Sequence, residues 1–174
     1  EKKEIFEALE KEKVIIILGK AGVGKTRLAL EIAKKYQKEN NCRILCIKCN
    51  HLPIMEDLSR YISTAGKYLI FVDDANELVG LSHLIEYTIK DDDRYDIRII
   101  ATVRDYACKS VINEAKKLVN VKSYVISKFS NQEIQEFIKT NLKIENNDYI
   151  EQIVRIAGGN PRIAYMAGKL AIEK

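Results

Sequence analysis

Gly19-Lys20-Ala21-Gly22-Val23-Gly24-Lys25-Thr26 is the stretch whose residue types and spacing most directly imply chemistry. Glycines permit a tight turn in which successive backbone N–H groups face inward onto phosphate oxygens. A lysine directly after the last glycine reaches the β- and γ-phosphates as a mobile cation, and the next hydroxyl can enter a Mg²⁺ shell. These are Lys25 and Thr26. The run lies between the apolar segment Val14–Leu18 and an amphipathic segment beginning near Lys25. A helix starting there adds its positive dipole end to the same pocket. The alternative, a glycine-rich turn with an accidental lysine, leaves those flanks unexplained. The ligand implied is ATP or GTP, held by Gly19, Lys20, Ala21, Gly22, Val23, Gly24, Lys25 and Thr26.

Two more stretches fit that ligand. Asp73 and Asp74 close the apolar run Tyr68–Val72, and ligands of a doubly wound sheet sit at the C-terminal ends of its strands. Mg²⁺ takes hard oxygen ligands and keeps several waters, so Asp73 is expected to bind it through water. Asp74 is placed to polarise the water that attacks a γ-phosphate. The competing reading makes the pair a loop or an N-cap ahead of a helix at Leu78. Arg104 ends the run Ile97–Val103. A polar group and a guanidinium at that rim can report a γ-phosphate; pairing of Arg104 with Asp105 or solvent is the alternative.

Positioning these residues requires alternating strands and helices. Glu1 to about Lys13 reads as an amphipathic helix, and Val14–Leu18 as a strand buried on both faces. Leu28, Ala29, Ile32, Ala33 and Tyr36 recur at helical spacing up to Asn40-Asn41. Strands follow at 43–48, 68–72, 97–103 and 123–126, separated by helices at 54–62, 78–89 and 106–119. Such alternation gives βαβ units and a parallel sheet with right-handed crossovers. From Phe129 the pattern is helical only. Ser130 and Glu133 form a capping box, 146–157 is a second helix, and a third follows Pro161. The expected plan is an α/β domain over 1–128 and a small helical lid over 129–174.

At 174 residues, with 47% hydrophobic residues, the chain suits one domain plus a lid around a buried core. The net charge of +4 is spread along the sequence and reads as a solvated surface rather than a nucleic-acid footprint. Lys34, Lys35 and Lys38 are the wet face of one helix. No apolar run approaches the roughly 20 residues of a membrane span, and no signal peptide is visible. A cytoplasmic protein with reduced thiols is expected. Cys46-x-x-Cys49, with Cys42 and His51 nearby, resembles a metal cluster. On a strand, however, Cys46 and Cys49 point to opposite faces, so core cysteines are the reading. Neither His51 nor His83 is assigned as a base. The chain begins at Glu1 without a methionine and stops within an apparent helix, so it is expected to be part of something longer.

Taken together, the motifs resemble a STAND-type signalling ATPase, related to the AAA+ group. The resemblance rests on Gly19–Thr26 continuing into Arg27-Leu28-Ala29, on Leu69–Asp74, on Ala101–Arg104, and on Gly158-Gly159-Asn160-Pro161-Arg162. It implies a five-stranded parallel P-loop NTPase sheet of order 5-1-4-3-2. It also implies Arg27 beside the nucleotide, Pro161 near the adenine, ATP or ADP with Mg²⁺ as cofactors, and a helical lid. Arg162 stands where many members carry an apolar residue and matches the lid arginine of AAA+ proteins that touches the γ-phosphate. Proteins of this kind are switches in which ADP holds a closed monomer and ATP exchange permits self-association; bacterial members include transcription regulators and antiphage proteins. Sensor and effector domains would lie outside this chain. Two other functions stay open: an AAA+-like ATPase acting on DNA, of helicase-loader type, and a nucleotide-binding scaffold without turnover.

Overall fold

The computed structural model describes residues 2–48, 55–89 and 92–172, which form two compact units. The first comprises Glu1–Leu18 with Lys25–Val125, and the second Gly19–Gly24 with Ile126–Lys174.

The first unit is an α/β sandwich. Its sheet contains β1 (Val14–Gly19, the last residue of which passes to the second unit), β2 (Arg43–Lys48), β3 (Gly66–Asp73), β4 (Tyr95–Arg104) and β5 (Val121–Val125). The five parallel strands run in the order β2-β3-β4-β1-β5, the order that the family resemblance implies. Helices α1 (Lys2–Leu9), α2 (Lys25–Asn40), α3 (Met55–Tyr61), α4 (Leu81–Thr88) and α5 (Cys108–Lys116) accompany it.

Every residue of β1 is buried, as its unbroken apolar sequence demands of a strand covered on both faces. Each of its Ile and Leu side chains contributes about 2 kcal/mol of transfer free energy. Helix α2 buries Ala29, Ile32, Ala33 and Tyr36, and stops where Asn41 turns left-handed at φ 49°, a conformation that asparagine tolerates. Tyr36 packs its ring 6.1 Å from that of Phe6 in α1. Arg98 also holds α1, its guanidinium donating to the Leu9 carbonyl at 2.6 Å.

Three expectations are revised. The helix expected at 78–89 begins only at Leu81, because Ala75–Glu77 forms a 3-10 turn and Gly80 is left-handed. A second 3-10 turn, Asp105–Ala107, precedes α5, which starts at Cys108 rather than at residue 106. Of the cysteines read as core, Cys42 is buried but Cys46 is exposed. Strand β2 lies at the sheet edge, where Leu45 and Ile47 pack against the core and Cys46, which alternates to the other face, is exposed. Cys49, His51 and the expected helix start at Ile54 lie outside the described residues. Among those described, no group of three His, Cys, Asp or Glu side chains could hold a metal ion, and no helix is long and apolar enough to cross a membrane.

The second unit packs α6 (Asn131–Leu142), α7 (Asn147–Ala157) and α8 (Pro161–Ile172) around Ile134, Ile138, Ile150, Ile153 and Ala164. Its helix starts are legible one by one. Ser130 and Glu133 form the reciprocal capping box, Asn146 accepts from Asp148 and Tyr149 N–H, and Pro161 sits in the first turn of α8, where its missing N–H costs nothing.

Candidate functional site

In the first unit, β3 and β4 carry a connected set of polar groups to their C-terminal ends. Asp73 Oδ1 accepts from the Thr26 hydroxyl at 2.8 Å and from the Thr102 hydroxyl at 2.7 Å. Thr102 is fully buried, and its oxygen also accepts from Asp74 N–H at 2.9 Å. One hydroxyl therefore fixes both aspartates: it orients the first carboxylate and anchors the backbone of the second.

Asp74 is left-handed, at φ 50° and ψ 53°. Among residues with a Cβ, Asp and Asn adopt this region most readily. Asp74 occupies the N-cap position of the 3-10 turn, but its side chain makes no capping bond. Instead it accepts from Arg104 Nη2 at 2.7 Å, and Glu77 forms an ion pair with the same nitrogen at 3.3 Å. The Asp74 hydrogen bond and charge hold Arg104 above even its ordinary high pKa. Arg104 thus pairs with the β3 exit and not with Asp105. Asn76 ties this rim together, accepting from Arg104 N–H at 3.1 Å and donating to the Tyr106 hydroxyl at 3.0 Å.

Lys25 opens α2 and is only 6% exposed. Burial pushes its ammonium below the ordinary lysine value; Asp74 opposes the shift and Arg104 adds to it. The ammonium is thus held out of water within electrostatic reach of three carboxylates, Asp73, Asp74 and Asp105, and the Arg104 guanidinium. Thr26 and Arg27, on the next two positions, are exposed. The oxygens of Thr26 and Asp73 are the hard donors that Mg²⁺ prefers, and their mutual hydrogen bond leaves lone pairs on both for a cation. The residues present therefore fit that ion.

In the second unit the loop Gly19–Gly24 carries left-handed glycines at positions 22 and 24, with φ 81° and 100°. These turn the peptide planes as a phosphate cradle requires. Val23, within the loop, is buried. Pro161 is buried and Arg162 exposed at the start of α8.

A family model described as "Novel STAND NTPase 3" matches residues 1–144. The chain belongs to that family. This novel STAND NTPase is a nucleotide-binding module by family and by its loop. Its fold is similar to the Thermotoga maritima RuvB Holliday junction branch migration motor, with 23% identity, a TM-score of 0.68, and coverage of 97% of this chain and 59% of that one. It is also similar to the Aeropyrum pernix ORC1 protein in complex with DNA, with 14% identity, a TM-score of 0.74, and coverage of 99% and 59%. The chain thus spans under two thirds of these proteins' length. A search of curated proteins finds no match.

The structure brings Thr26, Asp73, Asp74 and Arg104 into one bonded network, with Lys25 within their electrostatic reach. Thr102, Asn76 and Glu77 join it without having been singled out as site residues. Thr102 entered the sequence reading only as the polar group beside Arg104, without its bonds to both aspartates, and Asn76 and Glu77 carry no signal beyond that of a polar turn.

Proposed function

We propose that this chain is the Mg-ATP switch module of a longer, cytoplasmic signalling or defence protein, binding ATP and hydrolysing it slowly. Its nucleotide state would control self-association of the full-length protein. One observation carries the reading: Asp73 is hydrogen-bonded to the loop threonine, while Asp74, one residue on, is paired to Arg104.

In this reading the amides of Gly19–Gly24, with Lys20, Ala21 and Val23 in the loop, hold the phosphates together with Lys25 and the neighbouring Arg27. Thr26 and Asp73 hold Mg²⁺, which when bound neutralises charge on the phosphate oxygens. Asp74 polarises the attacking water. Arg104 is engaged by the carboxylates of Asp74 and Glu77; a γ-phosphate would compete for the guanidinium and free Asp74 to act. Residues 1–128 form the nucleotide-binding domain, and 129–174 a lid placing Pro161 near the adenine and Arg162 toward the γ-phosphate. Turnover is slow because an arginine from a neighbouring subunit, worth orders of magnitude in such reactions, comes only with assembly.

Binding of a fluorescent ATP analogue and steady phosphate release test this. Lys25→Ala is expected to lose nucleotide binding. Asp74→Asn is expected to keep binding and lose about 100-fold in turnover. Unchanged turnover in Asp74→Asn would overturn Asp74's role, and binding without any turnover in wild type would favour the scaffold. The DNA-bound ORC1 relative favours a second reading, an ATPase acting on DNA. That reading requires DNA affinity that falls steeply with salt.

A further inference from the structure

We propose that Asn160 is a positioning residue for the phosphate loop, fixing one loop peptide and the first turn of α8 with a single side chain. Its Nδ2 donates to the Ala21 carbonyl at 3.0 Å, across 139 residues of sequence. Its Oδ1 accepts from Arg162 N–H at 3.0 Å and from Ile163 N–H at 3.3 Å. The Asn160 backbone is fixed as well, its N–H donating to Ala157 and its carbonyl accepting from Ala164. The amide has little rotational freedom, so the carbonyl it holds has little too.

Consequences for the loop follow from peptide planarity. The Ala21 carbonyl and the Gly22 N–H belong to one trans peptide and point in opposite directions. Anchoring the carbonyl to Asn160 therefore turns the Gly22 N–H the other way, as a fixed donor for an anion. Contact at this point is close. A Cβ at Gly22 would lie 2.6 Å from Asn160 Oδ1 and 2.8 Å from Nδ2, so only glycine leaves room for the amide. Asparagine alone of the small capping residues can do both jobs. Serine can accept from the helix N–H groups but is too short to reach the loop, and aspartate has no proton to donate to a carbonyl. Pro161 and Arg162 follow directly, so the same side chain sets where both begin.

The geometry stands without a ligand; only its effect on affinity rests on the nucleotide reading above. Hydrogen exchange of the nucleotide-free chain, followed separately over 19–24 and 161–164, tests the geometry, and a fluorescent ADP analogue tests the effect. In Asn160→Ser, exchange over 19–24 is expected to quicken about fivefold relative to 161–164, and the Kd for ADP to rise by a similar factor. In Asn160→Ala both segments quicken, because the cap is lost as well. A loop-to-helix exchange ratio in Asn160→Ser within twofold of wild type would overturn the proposal, since a mere helix cap predicts that ratio. If wild type binds no nucleotide, the functional reading fails, while the exchange ratio still decides the role of Asn160.

Discussion

Replacing Thr102 by valine removes one hydroxyl and almost no volume. Its oxygen donates to Asp73 and accepts from Asp74 N–H, in a place with no solvent exposure. Losing the bond to a charged acceptor costs about 1.5 kcal/mol here, at the low end of such bonds because Asp73 is half-buried and keeps its bond to Thr26. The orphaned Asp74 N–H costs about another 1.5 kcal/mol. Together this is about 3 kcal/mol, or a fall of roughly 9 °C in Tm for a chain of this size. Thr102→Ser keeps the hydroxyl and loses one buried methyl, so it costs about 1 kcal/mol. Urea unfolding of the two variants against wild type measures the contrast. On the nucleotide reading, the valine variant also needs about tenfold more Mg²⁺ for half-maximal ATP binding, because the carboxylate loses its orienting partner. Valine proving no more costly than serine would refute the argument, since the hydroxyl would then be idle.

Three further outcomes rest on ionisation. Burial disfavours the charged form of Lys25, so the folded chain binds that proton less tightly than the unfolded one. Lys25→Met should therefore raise the thermal stability of the nucleotide-free protein at neutral pH while abolishing nucleotide binding; calorimetry showing the variant less stable would contradict this. For wild type, nucleotide affinity should fall as pH rises through a midpoint below the ordinary lysine value of 10.5. Asp96 is the opposite case: burial raises its pKa, but the bonds and charges of Lys13 and Arg98 outweigh it and leave the carboxyl depressed. Its stabilisation is thus present above the unfolded value near 3.8 and lost as pH falls through a lower one. Asp96→Asn should cost about 1 kcal/mol at pH 7 and nothing once the wild-type carboxyl is protonated, as urea midpoints across pH would record.

The legible parts of this protein are those where one residue type has one physical reason to be present. An unbroken apolar β1, the helical recurrence from Leu28 to Tyr36 and the Ser130–Glu133 cap each dictate a local structure that the fold contains. Strand order is different in kind. Periodicity makes the sheet parallel but does not say which strands are neighbours, and the order came from family resemblance. That order puts the second strand at the sheet edge, but periodicity does not, and reading Cys46 as core overlooked the exposure an edge brings. At the site, glycines, Lys25 and paired aspartates announce themselves because their chemistry is unusual in a core. Thr102 and Asn160 stand within the motifs that carry the resemblance, but their roles are not legible there, because their work depends on partners 28 and 139 residues away.

The left-handed backbone at Asp74 decides which inactive variant deserves to serve as an experimental control. Alanine there would delete the carboxylate and also force a side chain without local hydrogen bonding into that conformation, at a cost of about 1 kcal/mol. The β3 exit would then relax, carrying Thr102 and Arg104 with it, and on the proposed reading a loss of turnover would say nothing about the missing charge. Glycine errs the other way by freeing the chain. Asparagine keeps the backbone and a partner for Arg104 while removing only the negative charge, so at this position it is the substitution whose phenotype has a single chemical meaning.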